Sequence, residues 1–214
     1  MQKKWFVRAI AFLAAFAVWT VMVCLIDVQP IGPMETSVGL AGINGYIHRI
    51  TGVNWALYTI TDDLSLVPVS ICVWFAVLGL VQWIKRKKIS KVDADILALG
   101  AFYVLVMGMY VLFECCVVNY RPVLVEGALE ASYPSSTTML VLCVMSTACM
   151  QGKRRIRHDK MQRMISTMII AFSVFMVAGR AFSGVHWFSD IVGGILLSAG
   201  LTAMYCASVK TMIQ

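Results

Sequence analysis

The side chains best suited to chemistry lie close together. Arg180, His186 and Asp190 fall within 179–190, Gly-Arg-Ala-Phe-Ser-Gly-Val-His-Trp-Phe-Ser-Asp, at the mouth of a hydrophobic segment. Ionisable groups at such a place are costly and require a functional or a pairing explanation. His186 and Asp190 are four residues apart, so on a helix they share one face and can touch. A carboxylate beside an imidazole fixes its tautomer and supports its charge, which makes histidine a nucleophile or a base. Arg180 adds a permanent cation whose fork of donors suits a phosphate. The combination points to phosphate chemistry at a membrane surface.

Two further clusters carry candidates. In Glu114-Cys-Cys-Val-Val-Asn-Tyr-Arg121-Pro122, the proline disfavours helix just before it, which ends the preceding segment and leaves Arg121 at the bilayer surface. Glu114 then lies about two turns deeper. Taken alone, Arg121 has a second, less favoured explanation as an anchor that snorkels to lipid phosphates. In Ser132-Tyr-Pro-Ser135-Ser136-Thr137-Thr138, a proline suited to a first helical turn is followed by hydroxyls able to cap it. The open N–H groups of such a turn form an anion site, although plain capping also accounts for them.

These groups must be positioned by membrane helices. Of the residues, 60% are hydrophobic and only 14% charged. Six apolar runs, roughly 5–26, 64–84, 96–118, 132–150, 164–182 and 187–209, approach the length that a bilayer-spanning helix needs. The first is long and lacks a convincing small-residue cleavage site, so it is expected to be a retained span. The fold class is therefore all-α: a polytopic six-transmembrane-helix bundle forming one domain over 1–214. An outer loop at 28–63 separates spans one and two. Within it Leu40, Ile43, Ile47 and Ile50 share a face, with Thr36 or Ser37 to cap the start and Gly52 the end, as in a short helix on the membrane surface or over the bundle. Thr61, Asp62 and Asp63 are expected to cap the second span. Gly194 and Ser198 allow close helix contact in the last.

Basic residues prefer cytoplasmic loops, and 15 of the 18 Lys and Arg, Lys210 among them, fall on one side of this layout. Both termini are then cytoplasmic, in what is expected to be a bacterial plasma membrane, and Arg49, Arg121 and Arg180 lie on the opposite, extracytoplasmic side. The net charge of +7 follows from topology and anionic lipid and needs no nucleic-acid partner. Seven cysteines spread through apolar segments suit packing rather than a metal site. Six spans without an internal repeat, and a polar site at one face, fit a transporter poorly.

The order and spacing of the three clusters over 114–190 resemble the type-2 phosphatidic acid phosphatase superfamily, six-helix lipid phosphatases related to soluble acid phosphatases and vanadium haloperoxidases. The resemblance implies that His186 attacks phosphorus to form a phosphohistidine while Asp190 orients it. Arg121 and Arg180 would clamp the phosphoryl oxygens together with Ser135 and the backbone N–H of Ser136, and no metal or other cofactor is implied. The expected substrate is a lipid phosphate or polyprenyl (di)phosphate. Two positions depart from the family pattern. Glu114 stands where the family has lysine. Thr137 stands where it has the histidine that protonates the leaving group, help typically worth about 10²–10⁴-fold. Glu114 or Glu130 would be the substitute acid, or each merely pairs with an arginine. Glu126 and Glu130 lie one turn apart if 125–131 is helical, and His48 is the other outward histidine. A leaving group of low pKa would need no acid. The rival expectation is a degenerate protein of the same fold that binds lipid headgroups or scaffolds a partner.

Overall fold

The computed structural model describes residues 2–212; Met1 and residues 213–214, at the ends of the predicted domain, lie outside the described residues, as do the side chains of Gln2, Lys210, Thr211 and Met212. Eight α-helices occur among the described residues: α1 (Gln2–Leu25), α2 (Ala41–Thr51), α3 (Trp55–Asp63), α4 (Leu66–Arg86), α5 (Ala94–Cys115), α6 (Ser136–Arg155), α7 (Asp159–Phe182) and α8 (Phe188–Met212). Isolated bridges are the only β pairing there. Five segments are long and apolar enough to cross a membrane: Lys3–Leu25, Trp55–Arg86, Ala94–Cys115, Asp159–Phe182 and Phe188–Val209. The chain is a multi-pass membrane protein. Helix α6, which covers most of the predicted fourth span, is not among the five, because Ser136, Thr137, Thr138, Thr147 and Gln151 make it less apolar.

The bundle is built around α8, 61% of whose apolar window is buried, against 11–22% for the other four. It packs mainly on α1 and α6. Lipid chains are as apolar as leucine, so helices in a membrane associate through close approach and internal hydrogen bonds. Glycine supplies the approach. A Cβ on Gly200 would sit 2.7 Å from Leu13 of α1, and one on Gly194 would sit 3.1 Å from the Ser135 carbonyl and from Thr138. Ser198 bonds the Gly194 carbonyl at 2.6 Å and reaches Met139 O at 3.5 Å. The small-residue spacing thus seats α8 against the start of α6. The basic connections α4–α5 and α6–α7 close one end of the bundle, and the three polar clusters gather at the other.

Several boundaries differ from expectation. The loop at 28–63 contains α3, which continues to the membrane-crossing α4 through a short break at Leu64–Ser65, so Asp62 and Asp63 end a helix instead of capping one. Ser65 is the residue before α4. Helix α2 begins only at Ala41, and its first turn is served by Asp27, whose carboxylate accepts from Gly42 N at 2.6 Å, not by Thr36 or Ser37. Gly52 ends it as expected, with φ +60° and its N–H on His48 O. The face that docks is Ala41 and Asn44, while Ile43 and Ile50 stay exposed. Helix α5 stops at Cys115, ahead of Pro122, and Pro134 precedes the cap of α6 instead of entering its first turn. The stretch 125–131 is not helical. It folds back on itself through the bridges Tyr120–Ala131 and Val125–Ala128.

The end that carries the clusters is stitched to α2 and α3. Asn54 N donates to Ser183 O at 2.9 Å. Gly184 has φ +66°, and a Cβ there would lie 1.8 Å from Gly52 O. Gly184→Ala should therefore combine left-handed strain with a backbone collision and cost about 2 kcal/mol or more. A thermal melt in detergent, with wild type alongside, measures it; an unchanged midpoint contradicts the close approach.

Candidate active site

His186 lies in the short turn between α7 and α8, with Asp190 in the first turn of α8. The two are therefore not stacked on one helix face, as their spacing suggested. The turn itself brings them together, with Nδ1 of His186 3.9 Å from Oδ2 of Asp190. That is too long for a direct hydrogen bond. Ser132 fills the gap: its hydroxyl donates to Asp190 Oδ2 and lies 3.3 Å from His186 Nδ1. An Nδ1–H donating to that oxygen leaves the lone pair on Nε2. Nε2 is buried and has no hydrogen-bond partner.

Asp190 is fully buried and collects donors from several parts of the chain. Oδ2 also accepts from Trp187 N at 2.9 Å, and Oδ1 from Asn119 Nδ2 and Ser189 Oγ, both at 3.3 Å. Its backbone oxygen accepts from Ser135 N at 3.0 Å. Ser189 is held in turn by Asn44 of α2, through bonds of 2.9 and 3.0 Å. Trp187 Nε1 bonds Tyr120 O at 2.8 Å, which fixes the approach to Arg121.

The two arginines come to one place. Tyr58 of α3 lies beneath both, its ring centroid 4.9 Å from the guanidinium carbon of Arg180 and 5.9 Å from that of Arg121. Arg180 is 1% exposed, yet only Nη2 is engaged, by Thr137 Oγ1 at 2.8 Å and Asp62 Oδ1 at 2.6 Å. Its Nε and Nη1 are buried and unpartnered, as is Nη1 of Arg121. Arg121 Nε is 3.0 Å from Glu130 Oε2, an ion pair without hydrogen-bond alignment. Buried donors are almost always satisfied, so three open guanidinium nitrogens near a bare imidazole nitrogen describe a site shaped for an anion.

An apolar cavity of about 280 Å³ opens beside Thr137, Ser136 and Tyr110. Through Cys72, Tyr103 and Met107 it joins a larger groove of about 720 Å³ between α4 and α5. The wall of that groove is hydrocarbon: Val73, Leu80, Trp83 and Val104 on its rim are all exposed.

The model of the PAP2 superfamily matches residues 110–213, the segment that holds every element of this cluster except α2 and α3. That segment, just under half of the chain, is of the PAP2 superfamily. No curated protein matches the sequence significantly. The fold is similar to a crystal structure described as the first transmembrane PAP2-type phosphatidylglycerolphosphate phosphatase, from Bacillus subtilis. The TM-score is 0.62 at 16% identity, covering 95% of this chain and 96% of that one. The likeness in fold takes in α1–α5 as well.

Among the residues expected from sequence, the structure gathers His186, Asp190, Arg121, Arg180 and Thr137. Ser135 is fully buried and caps α6, its hydroxyl taken up by Thr138 at 3.0 and 3.4 Å. Ser136 is partly exposed at the first turn. Glu114 is exposed at the end of α5 and shares a small hollow with Tyr110, Ser132 and Ser136. Arg121 pairs with Glu130 and not with Glu114, and Arg49 is exposed on α2. His48 packs on Trp187, ring centroids 5.4 Å apart. Sequence reasoning missed Asp62, Tyr58, Ser132 and Asn119. Ser132 and Asn119 stood in the quoted clusters as hydrogen-bonding residues beside named ones, while nothing local distinguishes Asp62 and Tyr58.

Burial pushes the His186 pKa down to about 4, and the positive charges of Arg121 and Arg180 reinforce the shift against the opposing pull of Asp190. The imidazole is thus neutral at physiological pH. Because the unfolded chain binds this proton more tightly, its contribution to stability is intact above the unfolded value of about 6.5 and is lost as pH falls through 4. A ¹⁵N NMR titration of the imidazole should give a midpoint near 4, and one near 6.5 would contradict this environment.

Proposed function

We propose that the chain is a lipid phosphatase or phosphotransferase acting on a lipid phosphate or polyprenyl (di)phosphate through a phosphohistidine at His186. The observation that carries this reading is the bare Nε2 of His186, held by Ser132 and Asp190 and accompanied by open donors of two arginines. Neutral imidazole attacks phosphorus through Nε2. Its Nδ1–H and the Ser132–Asp190 pair stabilise the positive charge that develops on the ring. Arg121 and Arg180 hold the non-bridging oxygens, aided by the open N–H of Ser136 at the first turn of α6. Phosphoryl transfer asks mainly for positioning and for positive charge about those oxygens. Water then attacks phosphorus and frees the imidazole.

The lipid tail would run from Thr137 through the smaller cavity into the groove between α4 and α5. With α6 counted as a sixth crossing, the basic loops lie in the cytoplasm together with both termini, and the site faces the extracytoplasmic side of a bacterial plasma membrane. The similar fold belongs to a phosphatidylglycerolphosphate phosphatase, so that lipid is the first substrate to test. Glu114, beside Ser136, is one candidate donor of the leaving group's proton.

A second reading has its own support: both arginines already touch carboxylates, Arg180 that of Asp62 and Arg121 that of Glu130. A headgroup-binding protein without turnover fits that pairing. Vesicle assays with phosphatidylglycerol phosphate and phosphatidic acid separate the two. His186→Ala should abolish phosphate release, and Arg121→Ala should weaken it about tenfold or more, as expected for a lost charge-assisted bond. Saturable binding without product, and no phosphohistidine on acid-free denaturation, would establish the binder instead. Gly100→Trp, at an open point of the groove, should raise KM about tenfold for a two-chain lipid phosphate. Hydrolysis of 4-nitrophenyl phosphate should be unchanged; equal effects on both would place the tail elsewhere.

A further inference from the structure

We infer that Asp62 donates the proton to the leaving oxygen, in the place that Thr137 leaves without an acid; this rests on the phosphohistidine reading above. Asp62 Oδ1 and Thr137 Oγ1 share one nitrogen, Nη2 of Arg180, at 2.6 and 2.8 Å. The carboxylate is thus a neighbour of the threonine hydroxyl, although it comes from the distant α3. The approach is built into the fold. A Cβ on Gly179 would stand 2.6 Å from Thr61, so the glycine lets α3 lie against α7 and sets Asp62 on the next residue, Arg180. The side chain of Asp62 is 55% exposed, which gives it access to the leaving group and to water. The other acids are less well placed: Glu130 sits on Arg121 and Glu114 lies by Ser136, and only Asp62 shares a donor with Thr137.

The proton arrives with the substrate. A phosphomonoester binds as its monoanion, whose remaining proton has a pKa of about 6. Its oxyanion takes the guanidinium of Arg180, and its P–O–H proton passes to the displaced carboxylate of Asp62. As the bond from Nε2 of His186 to phosphorus forms, the P–O bond to the alcohol breaks, its electron pair staying on oxygen. That oxygen takes the proton from Asp62. In the second half, water attacks phosphorus and passes its proton to a phosphoryl oxygen, the P–N bond breaks with its pair returning to Nε2, and phosphate leaves as the monoanion, with Asp62 again a carboxylate.

The test compares leaving groups in full-length protein in detergent micelles. Phosphatidic acid expels an alkoxide and needs an acid; 4-nitrophenyl phosphate expels a stabilised phenolate and does not. Asp62→Asn keeps an oxygen for Arg180 but cannot donate. It should lower kcat for phosphatidic acid by about 100-fold or more, and lower 4-nitrophenyl phosphate turnover by a factor at least about tenfold smaller. Equal losses on both substrates, or no loss on either, overturn the assignment, as does the selective loss in Glu114→Gln instead. His186→Ala is run beside them. If it retains wild-type activity, or if wild type releases no phosphate, the phosphohistidine reading itself fails; a dead His186→Ala with an unselective Asp62→Asn sinks only the role of Asp62.

Discussion

The architecture at the site end depends on one buried carboxylate. Asp190 has no exposed surface and no arginine or lysine in direct contact; it is held by hydrogen-bond donors. An isolated buried charge is prohibitively costly, and a carboxylate has room for about four donors. Here they come from Trp187, Ser132, Asn119 and Ser189. Two of those belong to the irregular stretch between α5 and α6, so one charge organises a segment that has no helix of its own. Removing any donor leaves the charge less satisfied and loosens the loop that carries Arg121.

Glycine does the complementary work. At Gly39, a Cβ would fall 1.5 Å from the Val23 carbonyl of α1, so the chain before α2 runs directly on α1. From there Gly39 N reaches Asn119 at 3.3 Å. Gly184 and Gly179 repeat the device on the opposite side of the site, joining α2 and α3 to α7. The helices outside the superfamily segment are in this way bound to the chemistry: α2 through Asn44 and α3 through Tyr58 and Asp62.

Five of the six expected spans were legible because long apolar runs have one economical solution in a bilayer, and the C-terminal cluster was legible because ionisable groups there stand out. His186 and Asp190 do meet, but through a turn and a serine, since α8 starts only at Phe188, too late for the four-residue rule to operate. Arg121 was placed by Pro122, although α5 ends well before it. Asp62 and Tyr58 could not be found by inspection, because their importance arises from α3 folding back over α7, a contact set by Gly179 more than a hundred residues away. Glu130 was foreseen as a partner of arginine. The acid proposed for the departing oxygen lies outside the clusters near His186, where local spacing alone could not bring α3 into view.

The cleft between α4 and α5 has a further consequence. Its rim of valine, leucine and tryptophan is exposed along the sides of two membrane-crossing helices, so in a bilayer it meets acyl chains before water. A molecule entering by that route is already dissolved in the leaflet, and its encounter with the protein is a two-dimensional search. Occupancy then tracks the mole fraction of ligand within the sheet of lipid, so diluting the surface with inert phospholipid slows the process while diluting the surrounding buffer does not.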